Sequence, residues 1–417
     1  MPLPLFRRYL SDLRQRSSGP LRCPVGISHW SGNLELIAAS PGSEVGQVLL
    51  LAWTDTFALP DLLPPGCAGV LLLGRGQERG RALGVVRLPS QALDPLHRLR
   101  LVGPGMHTIG LRQEPLSEPP AGSVEGSPQG PMARWSRTIG ALDGEVWHRL
   151  VGLRYAIVGV GRTGSSLALA LVRLGVSHLT LIDPDHVEIH NLGESAGLTE
   201  ADLGRPKVEA VAAALASLAA THPEVVTVPG SITSLQALHA AQACDLLVSC
   251  VDHDGARLAA AILATLFCKP LLEIATGVHG QGAARQLGAD VRLVLPGQCL
   301  LCFGGLRDEA EARRVLASAE AERAFYAHRD WRSERAGSLA SLNQCAVGVA
   351  QRLLEDLIAE RIQESLWARL EFDASGRLAV SYPTVSLPHD RPPCSLCKLR
   401  GWGEEGLPHV AELFRQG

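Results

Sequence analysis

Residues 155–175 read YAIVGVGRTGSSLALALVRLG, and this stretch decides the fold of most of the chain. Its first four residues are apolar and β-prone, and they lead directly into Gly159, Gly161 and Gly164, after which a helix-like run begins. A strand that enters a helix through G-x-G-x-x-G is typical of a nucleotide-binding turn. Glycine lets the backbone approach a phosphate closely, and the start of the helix offers oriented N–H groups. The stretch therefore predicts a nucleotide site, and a tight turn without a ligand is the alternative.

Strand-like and helix-like segments continue to alternate after the glycines. Predicted strands are 155–158, 178–182 and 245–251, and predicted helices are 165–174, 208–220, 258–267 and 344–361. Regular alternation of the two kinds of element favours an α/β fold. We therefore predict a Rossmann-like, doubly wound and mostly parallel sheet for this part of the chain.

The residues before this region have a different pattern. Their apolar runs are short and punctuated by Gly, Pro and Asp, and they lie at 48–53, 69–74, 83–88 and 99–102. Such runs predict a smaller β-rich or α+β domain, to which we assign a partner-binding or dimer-organising role. The segment QEPLSEPPAGSVEGSPQGP is too rich in Pro and Gly for a helix or a central strand and is typical of a linker. We predict an accessory domain over 1–112, the linker over 113–131 and a second domain over 132–417.

Composition excludes several classes of function. The chain has 39 basic and 42 acidic residues, so its balance argues against a general nucleic-acid binder. The longest apolar run, 258–268, falls well short of the roughly 20 residues that span a bilayer. The N-terminus has no apolar stretch long enough for a secretory signal. We expect a cytoplasmic protein without a membrane or nucleic-acid partner, whose ten cysteines are not structural disulfides.

Two residues downstream of the glycines suggest which ligand the turn binds. Asp183 closes the second predicted strand, about where a ribose-binding carboxylate is expected. Lys207 follows in the tetrapeptide GRPK and is one of only three lysines, beside Lys269 and Lys398. The glycine motif with Asp183 alone would also suit NAD. A dehydrogenase, however, leaves the GRPK tetrapeptide and the cysteine pairs described below unexplained.

Several short motifs occur in a characteristic order along the second domain. They are RWSRTI at 134–139, GVGRTG at 159–164, DPDHVEIHNL at 183–192, GRPK at 204–207, DHDGAR at 252–257, and C-x-x-C at 299–302 and 394–397. In this combination the chain resembles the ThiF/MoeB family of ubiquitin-activating-like adenylating enzymes, from about residue 134 to residue 397. The resemblance implies a ThiF-type adenylation domain that binds ATP and Mg²⁺. It also implies that the C-terminal carboxylate of a ubiquitin-like protein, ending in a glycine tail, is joined to AMP.

The resemblance assigns roles to individual residues. Lys207 would contact the phosphates, and Asp252 would lie near Mg²⁺ and the α-phosphate. Asp183 would hold the ribose hydroxyls, and Asn191 would contact the nucleotide. Such a site needs cations and oriented donors rather than a strong base, because a C-terminal carboxylate is already ionised. The alternatives are an ordinary surface lysine for Lys207 and a helix cap for Asp252.

Arginines carry the remaining predicted nucleotide contacts. By resemblance, Arg137 would reach the ATP of the partner protomer in a homodimer, as an arginine finger does. The alternative for Arg137 is a solvated side chain. Arg257 matches an arginine of the family and would contact the nucleotide. The alternative for Arg257 is a position on the helix surface. Glu194 stands where the family has a phosphate-binding arginine. The carboxylate of this residue would repel the triphosphate. Arg162 replaces a usual glycine of the phosphate loop, and Arg162, Arg205 or Arg257 would supply the missing charge.

The cysteines divide into two pairs and six single residues. Cys299, Cys302, Cys394 and Cys397 form two C-x-x-C pairs that suit a tetrahedral Zn²⁺ site, while redox-active thiols are the alternative. Four sulfur ligands would leave no open position for catalysis. Cys345 opens a predicted helix and is a candidate for a thioester-forming thiol, with a small buried residue as the alternative. Between the pairs, 303–339 is by resemblance a crossover segment, either a mobile lid or a solvated surface helix.

These observations lead to one main functional hypothesis and two alternatives. The main one is ATP-dependent adenylation of a ubiquitin-like protein in a bacterial modification system. A thioester step and a conjugating enzyme as a further partner are left open. The same chemistry on a peptide or a tRNA-borne carboxylate is one alternative. The other is a catalytically impaired scaffold subunit, which the departure at Glu194 would explain.

Overall fold

Two eight-stranded sheets hold all the strands of the described residues, one in each of two units of the chain, Met1–Ala141 and Leu142–Gly417. The computed structural model describes residues 21–30, 33–38, 48–53, 67–75, 82–87, 94–96, 98–110, 131–193, 195–219, 222–279, 286–328, 339–373, 375–384 and 394–410. All but the last residue of the predicted linker, 113–131, lies outside these ranges. The predicted linker and domain limits therefore stay predictions.

The first unit is β-rich, as its apolar runs predict. Its strands are β1 (Leu21–Trp30), β2 (Asn33–Ala38), β3 (Val48–Trp53), β4 (Cys67–Arg75), β5 (Ala82–Arg87), β6 (Asp94–Leu96), β7 (Arg98–Val102) and β8 (His107–Gly110). They lie in the order β6-β5-β4-β3-β1-β2-β7-β8. The pairs β3–β4 and β2–β7 are parallel, and the other pairs are antiparallel. Leu99 and Leu101 are fully buried, as expected for alternate residues that face one side of a strand.

The second unit alternates strands and helices. Its strands are β9 (Arg154–Val158), β10 (His178–Ile182), β11 (Glu224–Val228), β12 (Leu246–Ser249), β13 (Leu271–His279), β14 (Gln286–Val294), β15 (Leu366–Phe372) and β16 (Leu378–Ser381). After α1 (Ser136–Leu142), the helices are α2 (Gly144–Gly152), α3 (Arg162–Leu174), α4 (Lys207–Leu218), α5 (Leu235–Ala243), α6 (Asp254–Leu266), α7 (Glu309–Leu316), α8 (Ala319–His328) and α9 (Ala340–Ile358). The α/β class is therefore confirmed.

The sheet of the second unit is parallel on one side and antiparallel on the other. Its order is β11-β10-β9-β12-β13-β14-β15-β16, with parallel pairing from β11 to β13 and antiparallel pairing beyond. The strand order reverses between the neighbouring strands β9 and β12. From β9 the chain continues to β10 and β11 on one side, and from β12 it continues to β13 on the other side. In open α/β sheets a ligand crevice forms at such a point, outside the carboxyl ends of the strands. This topology confirms the Rossmann-like fold and places the glycine turn at that crevice, while the sheet as a whole is mixed, with four parallel and three antiparallel strand pairs.

Helix α6 is the most deeply buried helix of the described residues. Every residue from position 255 to position 266 is buried, and all of them except Arg257 and Thr265 are apolar or glycine, as is typical of a helix in the core. The helix begins after His253, whose Nδ1 accepts a hydrogen bond from the Ala256 backbone N–H at 3.2 Å. His253, and not Asp252, is therefore the N-cap, and the capping alternative for Asp252 is wrong. None of the helices within the described ranges has both the length and the apolar character of a bilayer-spanning segment.

Candidate functional site

The glycine turn is held in place by close backbone packing. Gly159 has φ +83°, and its N–H donates to the Ile182 carbonyl oxygen at 2.8 Å. A Cβ on Gly159 would lie 2.8 Å from the Cys250 carbonyl oxygen, and a Cβ on Gly164 would lie 1.9 Å from the Gly159 carbonyl oxygen. At Gly161, by contrast, a Cβ would have no neighbour within 4 Å among the described residues. The outer glycines therefore shape the turn, and Gly161 borders the open space where a ligand would approach.

This difference between the glycines leads to a first prediction. Gly164→Ala should lower the free energy of unfolding by about 2 kcal/mol or more, because the backbone must move to admit the methyl group. Gly161→Ala should leave stability within about 1 kcal/mol, since glycine at a cap position has only a modest advantage. It should still weaken nucleotide binding. Urea unfolding and nucleotide titration of both variants would measure this, and equal destabilisation by the two would contradict it.

Asp183 joins the end of β10 to the glycine turn. Its Oδ2 accepts from the Val160 N–H at 2.8 Å, and its Oδ1 accepts from the Asp185 N–H at 2.9 Å. Each carboxylate oxygen has a second lone pair, so the residue keeps acceptor capacity for a ribose hydroxyl. Burial raises the pKa of Asp183 to about 6, against the opposing charge of Lys207. The position fits the predicted ribose contact and gives the residue a structural task as well.

The raised pKa of Asp183 predicts a pH dependence of stability. The folded state holds the proton up to about pH 6, whereas the unfolded carboxyl has a pKa of 3.8. Between these two pKa values the folded state therefore binds more protons than the unfolded state. As a result, the contribution of Asp183 to the free energy of unfolding falls as the pH rises through that window. The integrated effect is at most about 3 kcal/mol.

Urea unfolding of the wild type and of Asp183→Asn between pH 4 and pH 7 would test this. The stability of the wild type relative to the variant should fall as the pH rises toward about 6 and stay constant above it. A difference that is independent of pH would contradict the assignment.

Lys207 lies within a group of carboxylates beside the turn. It is the first residue of α4, and its Nζ lies 2.8 Å from Asp185 Oδ2. Its side chain is only 12% exposed, so the alternative of an ordinary surface lysine is wrong. Burial lowers the pKa of Lys207, but the charges of Asp183, Asp185 and Asp252 outweigh burial and raise it. The ammonium group is therefore kept charged at the mouth of the glycine turn.

Asp252 belongs to the same group and comes from a different strand. It lies in the loop between β12 and α6, is exposed, and interacts electrostatically with Lys207. The Cys250 N–H donates to the Val158 carbonyl oxygen at 2.8 Å, so this loop runs beside the glycine turn. Residues that follow β9, β10 and β12 thus meet at one edge of the sheet. Asp185 was not among the predicted site residues, although the D-x-D spacing at the end of β10 is a signal for it.

Arg257 is buried and contacts residues on both sides of Asp252. Its Nη1 lies 2.6 Å from Asp254 Oδ1, and its Nη2 donates to the Val251 carbonyl oxygen at 3.1 Å. The alternative of a helix-surface arginine is therefore wrong, since Arg257 is 6% exposed. These contacts already engage the guanidinium group. The predicted contact of Arg257 with the nucleotide stays a prediction.

The other predicted nucleotide residues lie at several places. Asn191 is buried in a short 3-10 helix, Ile189–Asn191, where its Oδ1 accepts from the Glu188 N–H at 2.9 Å. Arg162 is the first residue of α3 and is half-buried. Arg137 is exposed in α1, and its role across a dimer interface stays a prediction. Glu194 lies outside the described residues.

The structure brings the four predicted zinc ligands together. The sulfur atoms of Cys299, Cys302, Cys394 and Cys397 all lie within 4.8 Å of one another. The Cys299–Cys394 and Cys302–Cys397 sulfur distances are 3.4 Å and 3.8 Å, too long for disulfides. A tetrahedron of Zn–S bonds of about 2.3 Å places its sulfurs roughly 3.8 Å apart, so the donor set fits Zn²⁺. All four ligands would be sulfur, as in closed structural sites.

Two further cysteines bear on the thioester hypothesis. Cys345 is the sixth residue of α9, because this helix begins at Ala340, before the predicted start. The expectation that Cys345 lies at a helix N-terminus is therefore wrong. Cys250 lies next to the glycine turn, but burial raises the pKa of its thiol, with a smaller contribution from Glu273. A thiol in that state is a poor nucleophile.

The described part of the crossover segment packs against the start of α6. Asp254 Oδ2 accepts from the backbone N–H groups of Arg307 and Asp308, both at 2.7 Å. The ring of Phe325, in α8, lies 5.0 Å from the ring of His253. This half of the crossover segment is thus in contact with the two residues that directly follow Asp252. Opening and closing of the segment as a lid stays a prediction.

Comparison with known proteins shows the family to which the chain belongs. The model of the ThiF family matches residues 135–361, more than half of the chain, and the chain belongs to that family. The chain is 35% identical over 126 residues to the adenylyltransferase and sulfurtransferase MOCS3 of Arabidopsis thaliana, covering 30% of this chain and 27% of that protein. It is 32% identical over 135 residues to the molybdopterin-synthase adenylyltransferase of Salmonella typhimurium, covering 30% of this chain and 51% of that protein.

The similarity to these curated relatives is partial in length. The chain spans between about a quarter and about half of their lengths. Among solved structures, the chain is similar to E. coli MccB with AMPCPP and SeMet MccA, with a TM-score of 0.47 and 17% identity, covering 63% of this chain and 73% of that chain.

Proposed function

We propose that this chain catalyses the ATP-dependent adenylation of a carboxylate, and that the carboxylate is the C-terminus of a ubiquitin-like protein with a glycine tail. The observation that carries the proposal is the meeting of Lys207 with Asp183, Asp185 and Asp252 beside the glycine turn. Membership of the ThiF family supports the reaction class. The two relatives described above are both named adenylyltransferases.

The residues present fit a nucleotide with a divalent cation. Gly161 leaves space at the start of α3, where backbone N–H groups point toward a ligand. Lys207 would hold the phosphates, and Asp183 would hold the ribose. Mg²⁺ prefers oxygen ligands and often takes one or two carboxylates with phosphate oxygens, for which Asp252 is the candidate. When bound, ATP would supply the adenylyl group to a carboxylate oxygen, and pyrophosphate would leave as the bond between the α- and β-phosphates breaks.

The residues of the chain contribute charge and orientation rather than proton transfer. The Lys207 ammonium group offsets the negative charge that gathers when a carboxylate approaches a phosphate. The N–H groups at the start of α3 add fixed dipoles in the same place. No general base is needed, because the attacking carboxylate is ionised at neutral pH. In this proposal Arg137 completes the site from the partner protomer of a homodimer, and the four cysteines hold a structural Zn²⁺.

ATP–pyrophosphate exchange is the direct test. The purified chain should exchange labelled pyrophosphate into ATP only when a ubiquitin-like protein ending in glycine is present. The matched control is the same protein with an amidated C-terminus, which has no carboxylate to activate. Exchange that instead depends on a peptide or on a tRNA that bears a free carboxylate would move the substrate to those classes. If ATP gives no exchange and no thermal stabilisation, the scaffold alternative replaces the proposal, since a bound ligand must stabilise the fold.

A further inference from the structure

Glu273 is a fully buried acidic residue that the proposed reaction does not use. It lies on β13 with 0% exposure, and its carboxylate lies between two arginines. Its Oε2 accepts a hydrogen bond from Arg292 Nη1 at 2.7 Å, and its Oε1 forms an ion pair with Arg257 Nε at 3.2 Å without the orientation of a hydrogen bond. Burial raises the pKa of Glu273, and the two guanidinium groups act in the opposite direction. A carboxylate at this depth depends on its two cationic partners, and each arginine in turn depends on the carboxylate.

Arg257 connects this carboxylate to the candidate site. Its three guanidinium nitrogens face three different groups: the Glu273 carboxylate, the Asp254 carboxylate and the Val251 carbonyl oxygen. Val251 directly precedes Asp252 in the chain. The Asp254 carboxylate in turn accepts hydrogen bonds from two backbone N–H groups near the start of the crossover segment. The position of the Asp252 loop is thus tied to the orientation of one buried guanidinium group.

Arg292 continues the charge network away from the site. It pairs in register with Glu273 on β13 and with Trp367 on β15, and its Nη2 lies 3.0 Å from Asp290 Oδ2. Asp290 Oδ1 also accepts from Trp367 Nε1 at 2.7 Å and from Arg369 Nε at 2.9 Å. The network therefore has an inner half, toward the Asp252 loop, and an outer half, on the antiparallel strands. Glu273 is the member that joins the two halves.

We propose that Glu273 is a positioning residue for the candidate nucleotide site: through Arg257 it fixes the Val251 backbone and thereby the place of Asp252 beside Lys207. The functional part of this proposal rests on the proposed adenylation. The structural part, that Glu273 orders the Asp252 loop, stands without it.

Two variants of the full chain separate the halves of the network. Glu273→Gln removes the charge that holds Arg257, while Asp290→Asn removes the outer partner of Arg292 and leaves the Arg257 contacts in place. In the protein without nucleotide, backbone amide exchange over 250–254 should be faster in Glu273→Gln than in the wild type, and unchanged in Asp290→Asn. Binding of Mg-ATP should weaken by about tenfold to a hundredfold in Glu273→Gln, with a higher Mg²⁺ requirement, and by less than about twofold in Asp290→Asn.

The outcomes distinguish this proposal from the proposed function. Unchanged loop exchange in Glu273→Gln, or an equal effect of Asp290→Asn, would overturn the positioning role whether or not ATP binds. Failure of the wild type to bind ATP would overturn the adenylation proposal, and loop exchange would still decide the role of Glu273. If Glu273→Gln does not fold, Arg257→Lys keeps a cation beside Glu273 but removes the forked contacts with Val251 and Asp254. It should show the same loosened loop, and an unchanged loop in this variant would also count against the proposal.

Discussion

Lys207→Ala is expected to lower the rate of ATP–pyrophosphate exchange by about 10²- to 10³-fold, as the loss of one donor that stabilises developing charge typically does. The structural reason is the isolation of this cation among acidic groups. Asp183, Asp185 and Asp252 all act on Lys207 electrostatically. Without the ammonium group, these carboxylates would face a triphosphate with no neutralising charge in their midst. Both ATP affinity and turnover should therefore fall.

The control for Lys207 is an exposed cation elsewhere in the same unit. Arg352 lies in α9, and its exposed side chain pairs with Glu355 and Asp356. Arg352→Ala should retain the exchange activity of the wild type, because exposed ion pairs contribute little. Lys207→Arg keeps the charge and should recover part of the activity. If Lys207→Ala retains more than half of the wild-type rate, Lys207 is not the phosphate-contacting cation of the site.

Cys394→Ser is expected to abolish zinc binding and to lower the free energy of unfolding by more than about 4 kcal/mol, because metal binding to a structural site is coupled to folding. The four sulfurs join residues far apart in sequence, since the partners of each cross-pair are separated by 95 residues along the chain. Around them pack buried apolar residues such as Leu300, Phe303 and Leu396, which belong to the same core as α6. Loss of the metal should therefore loosen part of this core as well.

The matched control for the cluster is a cysteine outside it. Cys345 lies in α9, and Cys345→Ser should bind one zinc per chain and unfold at nearly the wild-type temperature. Elemental analysis of the purified variants measures the metal, and thermal unfolding with and without a chelator measures its contribution. If Cys394→Ser still carries one zinc per chain with unchanged stability, the cluster does not hold a structural zinc.

Local patterns made three of the five parallel strands of the second sheet predictable, namely β9, β10 and β12, whereas β11 and β13 were not predicted. The structure has the predicted strand at 155–158, followed by the glycine turn and a helix. Each of these elements can be predicted from its own apolar periodicity and turn residues. The strand predicted at 178–182 coincides with β10. In the first unit, the run of 48–53 coincides with β3. Such elements need no information about distant partners.

The antiparallel half of that sheet was not predicted, and its charges explain why. Asp290 and Arg292 lie within β14, and Glu273 lies within β13, so neither segment reads as an uninterrupted apolar run. These charges are tolerated inside the sheet because each finds a partner on a neighbouring strand or on α6. Pairing across strands is a tertiary property, and sequence periodicity does not contain it.

The candidate site was predictable in its composition and less so in its contacts. Spacing along the motifs was enough to select Asp183 and the four cysteines of the cluster, and the resemblance to the ThiF/MoeB family selected Lys207. It did not identify His253 as the cap of α6, because Asp252 is the residue type that commonly caps a helix. Nor did it reveal that Arg257 is buried, since that depends on Glu273 from the following strand.

The distance in sequence between the two cysteine pairs has a consequence for the order of events during synthesis. Cys394 joins the growing chain 95 residues after Cys299. At about 5–20 residues per second, some 5–20 seconds pass before the second pair of thiols can meet the first. During that interval the nascent polypeptide contains only the first two of the four cysteine ligands, Cys299 and Cys302. Closure of the four-sulfur cluster is therefore a late step of biogenesis, after the glycine turn and the strands beside it have left the ribosome.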